Sequence, residues 1–144
     1  MDITFHSEFA GFELGQKKRH RDWIRAQIRE RNKQPVAIAF VFTTNADLRK
    51  INHTYLNHYY FTDVITFGYG EDDRISGDIY ISVDQVRGNA GEYGVSFEEE
   101  LRRVMSHGVL HLLGFNDSNE KERRRMRELE EDALNLWSKG EGDG

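Results

Sequence analysis

Cysteine is absent from the 144 residues. That excludes disulfides, thiolate metal sites and a cysteine nucleophile, so any metal must be held by His, Asp or Glu. Proline occurs once, at Pro35. No apolar run approaches the roughly 18 residues of a membrane span. The opening MDITFHSEFAGFELG carries acidic residues and no apolar core of the kind a signal peptide needs. The expectation is therefore a cytoplasmic protein with no membrane partner.

The length suits one domain with a real core. The formal net charge is -5, unevenly spread. Met1 to Lys50 holds 10 Lys/Arg against 6 Asp/Glu, and Ile51 to Gly144 holds 10 against 19. The basic run is Lys17, Lys18, Arg19, Arg21, Arg25, Arg29, Arg31 and Lys33, with Arg21, Arg25 and Arg29 at helical spacing. It reads either as a solvated face or as a phosphate-tracking patch for RNA.

Periodicity predicts helices over Gln16 to Asn32, from Thr44 or Asn45 to about Tyr55, from Val83 to about Asn89, from Ser96 to a stop at Gly114, and from a Ser118 cap to Trp137. Ser96 with Glu99 fits a capping box. Strands are predicted over Val36–Phe42, Val64–Phe67 and Asp78–Ser82, with a polar loop over Glu71 to Ser76. Residues 1–137 read as one domain and 138–144 as a disordered tail. Interleaved strands and helices indicate an α/β or α+β domain. Arg123, Arg124, Arg125 and Arg127 alternate with Glu120, Glu122, Glu128, Glu130 and Glu131, which reads as a self-paired exposed surface.

The chemistry lies in His107 to Asp117, HGVLHLLGFND. His107 and His111, four apart, share one helix face and can present two imidazole nitrogens to one cation. Gly114 lets the chain reverse, and Asp117 follows where a third ligand can return to the ion. The spacing H-x-x-x-H-x-x-G-x-x-D is that of the extended zinc-protease motif, with Asp as third ligand. Three protein ligands leave one position open, as a catalytic zinc requires. The expected cofactor is one Zn2+. The protease motif places its Glu base directly after the first His, but this chain has Gly108 there, which argues against a peptidase.

HGVLHLLGFND resembles the signature of the YbeY family of bacterial endoribonucleases. TDVITF at Thr62 to Phe67 is similar to that family's T-D-V-L-S-F, and GDIYIS at Gly77 to Ser82 to its G-D-I-x-I-S. The resemblance implies a small mixed, mostly parallel sheet with packed helices and a zincin-like metal helix lining a cleft. It implies a metal-dependent endoribonuclease of rRNA maturation, acting on rRNA or a ribosomal particle. Two other functional classes stay open: a noncatalytic ribosome assembly factor with structural zinc, and a metal-dependent hydrolase of another substrate.

Two positions depart from the family pattern. Asp117 stands where the family has its third His, so one carboxylate offsets part of the ion's charge. Leu56 stands where the family carries Arg, and His53, His58 and Arg74 are candidates to replace that phosphate clamp. Phe61 replaces a proline. Asp63 and Asp78 read as structural, bonding backbone at strand starts. No general base and no substrate-binding residue is assigned.

Overall fold

The computed structural model describes residues 2–56 and 62–142. Elements run β1 (Ile3–Ser7), α1 (Lys17–Arg29), β2 (Gln34–Thr43), α2 (Asn45–Leu56), β3 (Val64–Gly68), β4 (Arg74–Ser82), α3 (Val83–Tyr93), α4 (Phe97–Leu112) and α5 (Glu120–Gly142). The four strands form one mixed sheet in the order β1-β2-β4-β3. β1 pairs parallel with β2 and β2 parallel with β4, while β3 returns antiparallel on β4. The register aligns Ile3 with Ile38, Ile38 with Gly77, and Gly77 with Gly68. This is the expected mostly parallel α/β domain. None of its helices, among the described residues, is long and apolar enough to cross a membrane.

Alternation along the strands builds the core. Ile3, Ile38, Phe40, Phe42, Ile79 and Ile81 lie on one face and are almost completely buried. Trp23, Ile24 and Ile28 of α1 and Leu101, Val104, Met105 and Val109 of α4 pack against them. α5 crosses outside α4 and α1. Its Trp137 joins the same core, and the Trp23 indole N–H donates to the Ala133 carbonyl at 2.8 Å. His20, 3 % exposed, stacks on Trp137 at 4.5 Å. Burial pushes its imidazole down to about 4, against two backbone hydrogen bonds, so it is neutral at physiological pH.

The sequence reading missed β1. It is only five residues long, and Ile3 and Phe5 are its sole inward apolar pair. β2 starts two residues earlier than read, and its register shifts between Pro35 and Ala37, where proline cannot donate to a ladder. β4 takes in Arg74 to Ser76 of the expected loop. α3 continues to Tyr93 and stops at Gly94, which adopts a left-handed φ of 69°. The cap of α5 is Asn119, whose side chain accepts from the Glu122 N–H at 2.8 Å, not Ser118. The expected disordered tail from Ser138 is helical as far as Gly142.

α4 starts as read, with Ser96 Oγ accepting from the Glu99 N–H at 3.1 Å and Glu98, Glu99 and Glu100 in the first turn, where the helix dipole favours them. It then approaches the sheet unusually closely. A Cβ on Gly108 would lie 2.6 Å from Ile79 Cγ2, and a Cβ on Gly77 would lie 2.5 Å from both Leu112 and the Phe67 carbonyl. Ile79 is fully buried and has nowhere to move. Alanine would gain about 1 kcal/mol of helix propensity at position 108 but would overpack the core at a cost of about 1–3 kcal/mol. Gly108→Ala is expected to lower Tm by several degrees. Gly88→Ala on α3, with open space around it, should leave Tm unchanged or raise it. Equal Tm changes in the two variants would refute the close-packing account.

Glu100 is 2 % exposed on the same helix, with Arg103 Nε at 3.6 Å. Burial pushes its carboxyl up to about 7. Arg103 works against this, while Asp63, Glu130 and Glu99 add to it. The folded protein thus holds a proton that the unfolded chain releases from about pH 4.5 upward, so this residue costs stability as pH rises toward 7. Glu100→Gln should gain on the parent in urea denaturation between those limits and keep its advantage above about pH 7. A difference that does not vary with pH would remove the assignment.

Candidate metal centre

The last turn of α4 and the loop after it build the site. α4 ends in a Schellman turn: Gly114 takes a φ of 98°, its N–H bonds the His111 carbonyl, and the Phe115 N–H bonds the Leu110 carbonyl, both at 3.0 Å. Phe115 packs against Leu110, Met126 and Leu129, which fixes the reversal. The returning chain brings Asp117 back over the helix face that carries the two histidines.

His107, His111 and Asp117 each place a ligand atom within 4.8 Å of the others. The two Nε2 atoms are 3.0 Å apart, and Asp117 Oδ2 lies 3.2 Å from His107 Nε2 and 3.5 Å from His111 Nε2. The far side of each ring decides what this convergence means. His107 Nδ1 faces a Glu130 carboxylate oxygen at 2.7 Å, and His111 Nδ1 faces the Phe115 carbonyl at 3.0 Å. Both partners are acceptors, so each Nδ1 carries the proton and each neutral ring turns an Nε2 lone pair inward. With both rings neutral, two lone pairs and a carboxylate oxygen would meet there. A divalent cation satisfies all three, and the donor set of two imidazoles and one carboxylate suits zinc. The residues fit the ion. Burial alone depresses the His107 imidazole, but the hydrogen bond and charge of Glu130, with Asp117 and Asp63, carry it above its ordinary value. His111 is held below its own by burial and by His107.

The three groups open onto a cleft of about 540 Å³ lined by Asn52, Thr62, Asp63, residues 64–66 and Leu112 among others. β3 forms its far wall. The Ser82 N–H bonds the Asp63 carbonyl and the Tyr69 N–H bonds the Ser76 carbonyl. The antiparallel alternation therefore aims the backbone groups of Val64, Thr66 and Gly68 away from β4, along the sheet edge beside the cleft. Among the described residues no Arg or Lys lines this cleft.

Of the clamp candidates, His53 is an exposed residue of α2 and Arg74 opens β4, and neither lines the cleft. His58 and Phe61 lie outside the described residues, and Leu56 ends α2. Asp63, read as bonding backbone at a strand start, instead accepts from the Asn89 side-chain amide at 3.1 Å; it also lines the cleft, and its burial raises its carboxyl. Asp78 accepts from the Tyr69 hydroxyl at 3.0 Å.

The basic run of α1 is largely engaged within the protein. Arg25 binds Asp2 through two nitrogens at 2.7 and 2.8 Å, Arg19 lies over Trp137 and donates to its carbonyl, and Lys17 and Lys18 pair with Glu13 and Asp22. Glu130 corrects the reading of α5 as a wholly exposed self-paired surface: it is 7 % exposed. The signal for it was faint. Met126, Leu129 and Ala133 mark the buried stripe of α5, and Glu130 sits within that stripe.

Comparison with known proteins agrees along nearly the whole chain. A family model described as Endoribonuclease YbeY matches residues 3–138. Proteins of that name from Phocaeicola vulgatus, Flavobacterium psychrophilum and Bacteroides thetaiotaomicron are 43, 42 and 39% identical over 136, 135 and 134 residues. These alignments span 94, 94 and 93% of this chain and 99, 96 and 98% of the relatives. The solution structure of TM1509 from Thermotoga maritima superposes with a TM-score of 0.65 at 25% identity, covering 98% of this chain and 93% of that one. With a match of this extent, the chain belongs to the YbeY family.

Proposed function

We propose that this protein is a metal-dependent endoribonuclease acting in rRNA processing and ribosome biogenesis, with one zinc held by His107 Nε2, His111 Nε2 and Asp117. The observation that carries this reading is the convergence of both Nε2 atoms and a carboxylate oxygen at the mouth of an open cleft. When bound, zinc supplies Lewis acidity toward a phosphoryl oxygen and lowers the pKa of a coordinated water to about 7. The protein's own part is positioning. The β3 edge offers backbone donors and acceptors to an extended single strand laid along the cleft. Asp63 lines the same cleft, and the burial that favours its protonated form suits it to accept a proton from the nucleophile.

The competing readings are weaker on physical grounds. A glutamate-dependent peptidase would need Glu at position 108, where even a Cβ strikes Ile79. A purely structural zinc favours a closed fourth position, whereas here the ligands open on a cleft.

Two experiments test the proposal. Zinc added to metal-free protein should bind one equivalent in competition with a chromophoric chelator and raise Tm. At a free concentration about 100 times Kd the stabilisation should be about 2.7 kcal/mol. His111→Ala should abolish both effects, and equal binding by the variant would refute the ligand set. Zinc-loaded protein should also cut single-stranded rRNA while His111→Ala, purified identically, does not. Equal cutting by both would point to a contaminant and would overturn the proposal. Cutting by neither would overturn it in favour of the noncatalytic assembly factor.

A further inference from the structure

The HGVLHLLGFND segment ends at Asp117, but the hydrogen-bonded site extends to α5. Glu130 is 7 % exposed, and its Oε2 lies 2.7 Å from His107 Nδ1. A carboxylate this buried needs compensation, and Arg103 provides it from α4, one turn before His107. Its guanidinium reaches Glu130 Oε1 at 3.5 Å, Glu131 at 2.6 Å and Glu100 at 3.6 Å. One oxygen of Glu130 is thus turned to the arginine and the other to the imidazole. Neutral imidazole can place its proton on either nitrogen, and only the Nδ1–H form offers Nε2 to a cation. An ionised carboxylate at Nδ1 selects that form, orients the ring and makes Nε2 a stronger donor. His111 obtains the same service from a backbone carbonyl. His107 alone relies on a side chain from another helix.

We propose that Glu130 is a positioning residue of the metal centre, locking His107 with Nε2 toward the ion, and that Arg103 holds Glu130 for that task. The inference rests on the metal-centre reading above. It adds α5 to the site and separates the two histidines: His111 is oriented by its own loop, and His107 by a buried ion-paired network.

The test measures zinc affinity by chelator competition for the parent, Glu130→Gln and Arg103→Gln, with the Tm of each metal-free protein recorded. Glu130→Gln keeps the shape but loses the charge, and it should weaken zinc binding by about 10- to 100-fold. Arg103→Gln leaves the carboxylate in place and should weaken binding by a smaller factor. Imidazole nitrogen NMR of the metal-free proteins supplies a readout that a merely structural role would not move. His107 should be protonated at Nδ1 in the parent and should populate the Nε2–H form in Glu130→Gln, with His111 unchanged. Should Glu130→Gln fold poorly, Arg103→Gln and the His107 tautomer of the parent carry the test. A parent that binds no zinc refutes the metal centre itself. A parent that binds zinc with the same affinity as folded Glu130→Gln refutes the role of Glu130, as does a parent His107 protonated at Nε2.

Discussion

The contact between α4 and β4 is the constraint on which the rest depends. With no side chain on Gly108, the helix settles onto Ile79, and with none on Gly77, Leu112 settles onto the sheet. Only at this separation does the neighbouring face of α4, bearing His107 and His111, stand level with the edge strand β3. The cleft is therefore a by-product of close packing: one side of the helix is pressed into the core, and the adjacent side is left at the rim. The residue that would give a zinc peptidase its base is, in this chain, the residue that must be absent for the helix to seat.

Around that contact the three converging side chains are supported unequally. Asp117 is held by a loop whose course is set by one left-handed glycine and an aromatic anchor. His111 leans on the same loop. His107 is braced from the opposite side by a chain of alternating charges running from α4 to α5 and back. The histidines are equivalent in spacing but not in surroundings. One is depressed by its environment and the other is raised, although they face each other at hydrogen-bonding distance.

Much of this was legible in the residue string. Three of the four strands, five helices, the turn at Gly114 and the convergence of His107, His111 and Asp117 follow from local patterns: period-two and period-3.6 apolar spacing, a capping Ser, a glycine that frees φ. What escaped depended on distant partners. β1 is too short to carry a period, and it exists because β2 supplies a parallel neighbour 35 positions on. The helical course of Ser138 to Gly142 follows from Trp137, which anchors that turn among His20, Trp23 and Arg19. Glu130 looked like one more surface acid because nothing within a few residues shows that His107 and Arg103 lie above it. The pairing of the basic face of α1 was hidden for the same reason, since Asp2 and the Trp137 carbonyl come from far along the chain.

The position of Glu130 in the chain also fixes an order of events. During synthesis the two histidines and Asp117 emerge first, on a helix whose outer flank is still bare. The buried carboxylate, and the tryptophan that clamps α5 to α1, come later. Until α5 docks, His107 is free to turn either nitrogen outward and Arg103 has no partner across the groove. On the proposed reading, a nascent chain would therefore present an incomplete trap, one that captures stray cations poorly. Competence for the ion would arrive together with that packing step, so loading with metal would report that the polypeptide has closed.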